Sequence, residues 1–258
     1  KGFLKFLSRF SNLASLRIAQ KNTILPIFKA LNPFNFNIKD SNVVSNNLNF
    51  INTLSFNQNS SIWGIDYTYK VLQNKVLNFY GSEASSTIYH DFLCRVKPIN
   101  PLLLKFNYIY DCSKRLSSAF QINNFTIVSH TAMVSMLINH SKPIDWSVQY
   151  LFSWQNNLIG EEKNLKNSVR FDLNYRMARR GVIGVRLQYL NLKFLGDENM
   201  NVAYQMLEGF RKGHNLSWYI NMQTNLSEFL QLDLKYEGRV SQHSKIIHLG
   251  MLQVKAHF

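Results

Sequence analysis

The sequence has few cysteines and no long run of apolar residues. Cys94 and Cys112 are the only two in 258 residues, and neither belongs to a CxxC motif, which argues against a zinc module of the usual spacing. No stretch of about 18 consecutive apolar residues occurs, which excludes a transmembrane helix of ordinary length. A membrane protein of this kind would have to cross the bilayer as a closed sheet, because only closure satisfies the backbone of a sheet in lipid.

Acidic residues are also scarce, with 15 Asp and Glu against 29 Lys and Arg and a formal net charge of +14. A basic chain raises nucleic acid and anionic lipid as partners. The cations occur in ones and twos, with the densest groups at 1–9, 176–180 and 211–212, and no run of five or six marks a nucleic-acid arm. We therefore predict no nucleic-acid partner. The 46% hydrophobic content excludes global disorder.

Apolar and polar residues alternate along many segments with a period of two. In the clearest, Leu232, Leu234 and Tyr236 alternate with Asp233 and Lys235. Successive side chains of a strand point to opposite faces, whereas a helix would scatter these residues around its circumference. Similar segments lie at 12–20, 46–56, 63–70, 87–97, 102–111, 130–140, 146–154, 169–177, 182–190, 214–223, 230–240 and 246–258. Their number predicts an all-β fold of about 12 strands, each near the length of a tilted membrane span.

The connections between these segments are alternately short and long. Short ones are predicted at 57–61, 98–101, 142–145, 179–181 and 225–228, and longer ones at 21–43, 71–86, 113–121, 155–166, 193–213 and 240–245. Such asymmetry is typical of an antiparallel up-and-down transmembrane β-barrel, with tight periplasmic turns and long outer loops. Residues 24–31 are expected to form a short helix or an irregular loop. If the chain forms a whole barrel, the segments at 12–20 and 246–258 must pair.

Aromatic residues are concentrated near both ends of the predicted strands. Trp63, Trp146 and Phe258 lie beside short turns or the end of the sequence, whereas Trp154 and Trp218 lie beside long loops. Two such groups are typical of membrane-interface aromatics, and we expect these five residues to lie at the two interfaces. A soluble β-sandwich with aromatic core positions is the alternative.

Two stretches of sequence carry a resemblance to known proteins. The last strand places Leu252, Val254, Ala256 and Phe258 on one face, which resembles the C-terminal signal that delivers outer-membrane proteins to the barrel-assembly machinery. The segments 203–209, 215–218, 236–239 and 247–250 resemble the C-terminal barrel region of large, mostly uncharacterised outer-membrane proteins of Bacteroidota. The resemblance implies that the protein is located in the bacterial outer membrane. It also implies three kinds of partner, namely outer-membrane lipid, the barrel-assembly machinery and other outer-membrane proteins. It leaves open whether residues 1–258 are one complete barrel domain or the C-terminal portion of a longer chain.

The seven histidines raise the alternative of an outer-membrane hydrolase with an active site at its rim. Ser129-His130 and His243-Ser244 place a hydroxyl beside an imidazole, but adjacent strand residues point to opposite faces. No GxSxG motif occurs. We therefore predict no catalytic residues, no enzymatic activity, no metal and no cofactor, and we expect the histidines in a polar lumen or in loops.

Charged residues on the polar faces of the strands are predicted to line the lumen. They are Arg170, Asp172, Arg176, Arg186, Asp233, Lys235, Glu237 and Arg239. Such rows either tune the selectivity of a pore or cross-pair and fill a narrow barrel. The expected function is thus a passive pore or a membrane scaffold in an outer-membrane complex. The alternatives are the rim hydrolase and a soluble lipid-binding β-protein, which a charged outer face would favour.

Overall fold

The computed structural model describes residues 8–22, 43–60, 62–78, 81–139, 143–177, 181–227, 229–242 and 244–256. Strands make up nearly all of the described residues. They are β1 (Phe10–Asn22), β2 (Val43–Phe56), β3 (Trp63–Asn78), β4 (Gly81–Ile99), β5 (Leu102–Ser117), β6 (Phe125–Asn139), β7 (Ile144–Asn157), β8 (Lys163–Met177), β9 (Gly181–Leu195), β10 (Gly213–Asn225), β11 (Leu230–Ser241) and β12 (Ile247–Ala256). A short 3₁₀ turn, Gln121–Asn123, precedes β6, and one α-helix, α1 (Asn201–Leu207), lies between β9 and β10.

The strands form one 12-stranded sheet in which each strand pairs with its neighbours in sequence order. Every pairing is antiparallel, from β1 with β2 to β11 with β12. The predicted all-β, up-and-down architecture is confirmed, and each predicted segment overlaps the strand in the corresponding position. Among the described residues β1 pairs only with β2 and β12 only with β11. Pairing of β1 with β12 therefore stays a prediction.

The register of the sheet keeps apolar residues together on one face. Leu234 of β11 lies between Met222 of β10 and Leu252 of β12, as the alternation requires. The same register separates the cysteines, because Cys94 lies opposite Phe106 whereas Cys112 lies opposite Ile88. Six positions along a strand correspond to about 20 Å, far beyond the reach of a disulfide. Both cysteines are free thiols.

Two predicted long connections differ from the structure. The expected loop at 71–86 is absent as such, because β3 continues to Asn78 and β4 begins at Gly81. Residues 71–78 have a weak apolar pattern, but their backbone groups pair with those of residues 81–88, and pairing outweighs local propensity. The expected loop at 193–213 contains the last residues of β9 and the helix α1. The prediction for residues 24–31 lies outside the described part of the chain.

The helix α1 packs against the polar face of the sheet. Val202, Ala203, Met206 and Leu207 are buried, and their spacing places them on one side of the helix. Their contacts are Phe125 and Ile127 at the start of β6, and Leu192 and Phe194 near the end of β9.

The sheet curves around this helix. Gln205 of α1 also lines a cavity with Glu83 of β4 and Arg115 of β5. From β4 to β9 a flat sheet would extend about 24 Å, whereas a helix of 7 residues is only about 10 Å long. One short helix reaches all of these strands because the polar face is concave. The apolar face is therefore the convex, outer one.

Candidate functional site

The helix α1 covers part of the concave face, and β8 anchors it. Lys166 Nζ lies 2.7 and 2.6 Å from the two carboxylate oxygens of Glu208, the residue that ends the helix. The Lys166 side chain is only 9% exposed, whereas that of Glu208 is 52% exposed. Asn164 Nδ2 donates to the Met206 carbonyl oxygen at 2.9 Å, which satisfies one of the acceptors left unpaired in the last helical turn.

Glu208 turns the chain away at the end of α1. Its φ of 54° lies in the left-handed region, and its backbone N–H donates to the Tyr204 carbonyl oxygen. Gly209 follows with a φ of 76°. The two positive-φ residues stop the helix where the carboxylate of Glu208 can reach Lys166, so the local backbone and the ion pair position α1 together.

Ion pairs lie along the concave face, and all but one of those described below join neighbouring strands. Arg186 Nε lies 2.6 Å from one carboxylate oxygen of Asp172, and Arg170 Nε lies 3.0 Å from the other. Arg176 pairs with Asp145 on β7. Further pairs are Arg95 with Asp66 at 2.9 Å, Arg115 with Glu83 at 3.3 Å and Lys255 with Asp233 at 2.6 Å.

The structure places the predicted lumen-facing charges on this concave face. Arg170, Asp172 and Arg186 are brought together by the register of β8 and β9, whereas Arg176 lies further along β8 and pairs with Asp145 of β7. On β11, Asp233 pairs with Lys255, and Lys235, Glu237 and Arg239 share its face of the strand. Most of these charges thus lie near a charge of opposite sign, so the face is a mixed network and not a ring of one sign. Their part in transport stays a prediction.

Small cavities remain on the concave face. One of about 440 Å³ is lined by residues of β1 to β4, including Arg17, Asn47 and Asn74. Another of about 310 Å³ is lined by residues of β4 to β8, including Lys105, Gln149 and Arg170. Within the described ranges no group of three or more His, Cys, Asp or Glu side chains is arranged to hold a metal ion. Nor does any helix in this part of the chain have the length and hydropathy to span a membrane.

The predicted interface aromatics lie on the convex face. Trp63 is 40% exposed and Trp154 is 44% exposed. Trp63 contacts Phe56 with ring centroids 5.5 Å apart, and Trp146 contacts Phe171 at 6.5 Å. Trp154 stacks on His130 at 5.6 Å, and Trp218 contacts His248 at 6.0 Å. Phe258 lies outside the described residues.

The four histidines in the described part of the chain do not lie where the sequence predicted them. His90, His130, His214 and His248 were expected in a lumen or in loops, but all four lie on strands and on the convex face. In each, Nδ1 is hydrogen-bonded to a tyrosine hydroxyl of the preceding strand, at 2.6 to 2.9 Å. The prediction was wrong because histidine was treated as a polar residue, whereas a tyrosine on the next strand supplies its polar partner. Only the cross-strand register reveals that tyrosine.

The proposed serine and histidine neighbours are separated, as the alternation predicted. Ser129 is buried on the concave face, whereas His130 contacts Tyr110 and Trp154 on the convex face. His243 lies outside the described residues.

The fold and the site together define the class: an all-β, up-and-down antiparallel sheet of 12 strands, with a concave face of paired charges and a convex apolar face. No protein-family model matches the chain, and no curated protein matches it by sequence. Among solved structures it is similar to the NanC porin, with 10% identity and a TM-score of 0.42, covering 81% of this chain and 94% of that one.

Two further solved structures resemble it to a similar degree. The β-domain of the Bordetella autotransporter BrkA has 6% identity and a TM-score of 0.40, covering 97% of this chain and 100% of that one. The outer-membrane protein OmpT of Vibrio cholerae has 5% identity and a TM-score of 0.42, covering 89% and 85%. At these identities and TM-scores the likeness assigns no activity to this chain.

Proposed function

We propose that this chain is a transmembrane β-barrel of a bacterial outer membrane that acts as a membrane scaffold with an occluded lumen. The observation that carries the proposal is α1, buried on the concave face between β6 and β9. A passive pore, the other function expected from the sequence, requires an unobstructed path along this face.

The convex face supports a membrane location. In the described parts of β3 to β12, this face carries no Asp, Glu, Lys or Arg from the short turns up to the level of the four histidines. At about 3.3 Å per residue and a tilt of about 40°, the interval from Ile138 to His130 has a height of about 20 Å. That height is close to the apolar band of about 25 Å found in outer-membrane barrels. A soluble lipid-binding protein would carry charges on this face.

Occlusion follows from what fills the concave face. Met206 and Ala203 of α1 are fully buried there, and Lys166 is held to Glu208 just beyond the helix. The concave face also carries ion-paired side chains. They lie on β3 to β5, on β7 to β9 and on β11 and β12. In a barrel of about 12 strands we propose that these groups divide the lumen into separate cavities in place of a continuous channel.

A scaffold needs partners and no chemistry of its own. We propose outer-membrane lipid as the first partner, the barrel-assembly machinery through the C-terminal strand, and other outer-membrane proteins in a complex. The four described histidines each engage a tyrosine hydroxyl, an arrangement that offers no carboxylate or serine to build a nucleophile. We therefore propose that the chain is not an enzyme.

Conductance across a planar lipid bilayer tests the proposal. The wild-type chain, folded from urea into vesicles, should insert and pass no steady current. A variant in which residues 199–210 are replaced by a short Gly-Ser linker should insert equally and conduct, because the linker lacks the apolar side of α1. Heat-sensitive migration on a denaturing gel serves as the control for folding of both. A steady large conductance from the wild-type chain would show an open pore and overturn the proposal.

A further inference from the structure

Five consecutive hairpins carry the same tyrosine-centred hydrogen bond on the convex face. In four the partner of the tyrosine hydroxyl is histidine Nδ1, and in the hairpin of β7 and β8 the Tyr150 hydroxyl donates to the Asn167 side-chain oxygen at 2.9 Å. The pairs, which we call the tyrosine belt, are Tyr67–His90, Tyr108–His130, Tyr150–Asn167, Tyr189–His214 and Tyr236–His248.

The belt has one geometry throughout. Tyr189 lies opposite Leu216, and it bonds the residue two positions earlier, His214. The same diagonal offset relates Tyr67 to His90. Tyr67 lies opposite Phe92 and bonds the residue two positions earlier, His90. The other three pairs repeat the offset. A repeated offset gives the pairs the same local arrangement on successive hairpins, as an interfacial ring requires.

The belt leaves the second ring nitrogen of each histidine free of the tyrosine bond. When the tyrosine O–H donates to Nδ1, the neutral imidazole carries its proton on Nε2, and that nitrogen can donate to a ligand. His214, at the start of β10, is exposed on the convex side.

Two lysines lie just beyond the belt on β8 and β9. Lys163 lies opposite Leu195, and Lys193 lies opposite Leu165, so the two lysines are diagonal neighbours on the convex face. Both are exposed. Lys193 follows Tyr189 by four positions, which corresponds to about 13 Å along the strand and about 10 Å in height. His214 lies opposite Asn191 and is thus the diagonal neighbour of Lys193.

We propose that Lys163, Lys193 and His214 form a binding site for a phosphate-bearing lipid headgroup of the outer leaflet. The inference rests on the membrane location given under the proposed function. Two ammonium groups complement the charge of a phosphate, and the Nε2–H of His214 donates to one of its oxygens at the lower edge.

The occupant is a lipid because an apolar surface continues directly below the site. Tyr189, Leu187 and Val169 lie on the convex face of β8 and β9 beneath the lysines, and all three are exposed. This surface accommodates acyl chains while the phosphate lies between the lysines. A free phosphate ion would use the lysines and leave this apolar surface uncovered.

Native mass spectrometry of the full chain, released from vesicles of phosphatidylcholine with a minor fraction of phosphatidic acid, tests the site. The wild-type chain should retain phosphatidic acid in preference to phosphatidylcholine. The double variant Lys163→Gln, Lys193→Gln should bind phosphatidic acid about thirtyfold more weakly, from the usual contribution of each lysine near an anionic surface. His214→Phe should weaken binding about fivefold, the effect of one hydrogen bond.

A matched control removes the same charge from the concave face. Lys105 and Lys235 lie on strands β5 and β11, and the double variant Lys105→Gln, Lys235→Gln should retain phosphatidic acid as the wild type does. Equal losses in both double variants, or none in either, would overturn the inference. Displacement of the lipid by inorganic phosphate alone would overturn it in favour of a free-phosphate site.

The result also separates this inference from the proposed function. Insertion into vesicles is measured first, by heat-sensitive migration on a denaturing gel. A chain that fails to insert contradicts the proposed function and this inference with it. A chain that inserts but retains both lipids equally contradicts this inference alone.

Discussion

Replacing Glu208 by glutamine tests whether the ion pair with Lys166 anchors α1. Lys166 is 9% exposed, so the substitution leaves a buried ammonium group without its counter-ion. Removing one member of a fully buried pair costs about 3–5 kcal/mol. Glu208 is 52% exposed, so water already weakens the attraction, and a solvent-exposed pair contributes about 1 kcal/mol or less. We therefore expect Glu208→Gln to lower the free energy of unfolding by about 2 kcal/mol.

A double-mutant cycle isolates the pair from other effects of the substitutions. Lys166→Met removes the buried charge and keeps a similar volume, so it should cost less than Glu208→Gln. In the double variant the loss of Glu208 should cost little further, giving a coupling energy of about 1–2 kcal/mol. The measurement is the urea dependence of unfolding in detergent micelles, followed by tryptophan fluorescence.

An exposed ion pair in the same loop provides the control. Lys212 Nζ lies 2.7 Å from Glu198 Oε1, but the Lys212 side chain is 61% exposed. Glu198→Gln should therefore change stability by about 0.5 kcal/mol or less. Equal effects of Glu198→Gln and Glu208→Gln, with additive costs in the cycle, would refute an anchoring role for Lys166.

Two further predictions concern the convex face. Leu234→Arg should reduce the free energy of folding into vesicles by about 2–4 kcal/mol, because it places a charge in the apolar band. Lys235→Leu, on the opposite face, should not impair folding. Equal tolerance of the two substitutions would contradict the membrane assignment. A Cβ at Gly238 would overlap the Trp218 ring, whereas one at Gly250 would meet nothing within 4 Å. Gly238→Ala should therefore lower the free energy of unfolding by about 1–2 kcal/mol and shift the Trp218 fluorescence, and Gly250→Ala should do neither. Indistinguishable variants would show that Trp218 does not pack over Gly238.

The number, position and faces of the strands follow from the sequence. The alternation at 230–240 nearly coincides with β11, Leu230–Ser241, and the segments at 63–70 and 169–177 lie within β3 and β8. This information is local, because the side-chain period of two is a property of each strand by itself. The wide separation of Cys94 and Cys112 was predictable for a related reason: a tight hairpin fixes the register of its two strands.

Contacts between distant segments were decided only by the tertiary structure. The helix α1 has four apolar residues on one side, but the sequence of the helix does not reveal that Phe125 and Leu192 pack against them. The extension of β3 to Asn78 depends on backbone pairing with β4, which outweighs a weak side-chain pattern. The tyrosine belt is the clearest case, since Tyr108 and His130 are 22 residues apart and meet only when β5 and β6 pair in one register. The alternation of the sequence determined which strand and which face each residue occupies. The register between strands determined which residues it contacts, because that register depends on the pairing of distant segments.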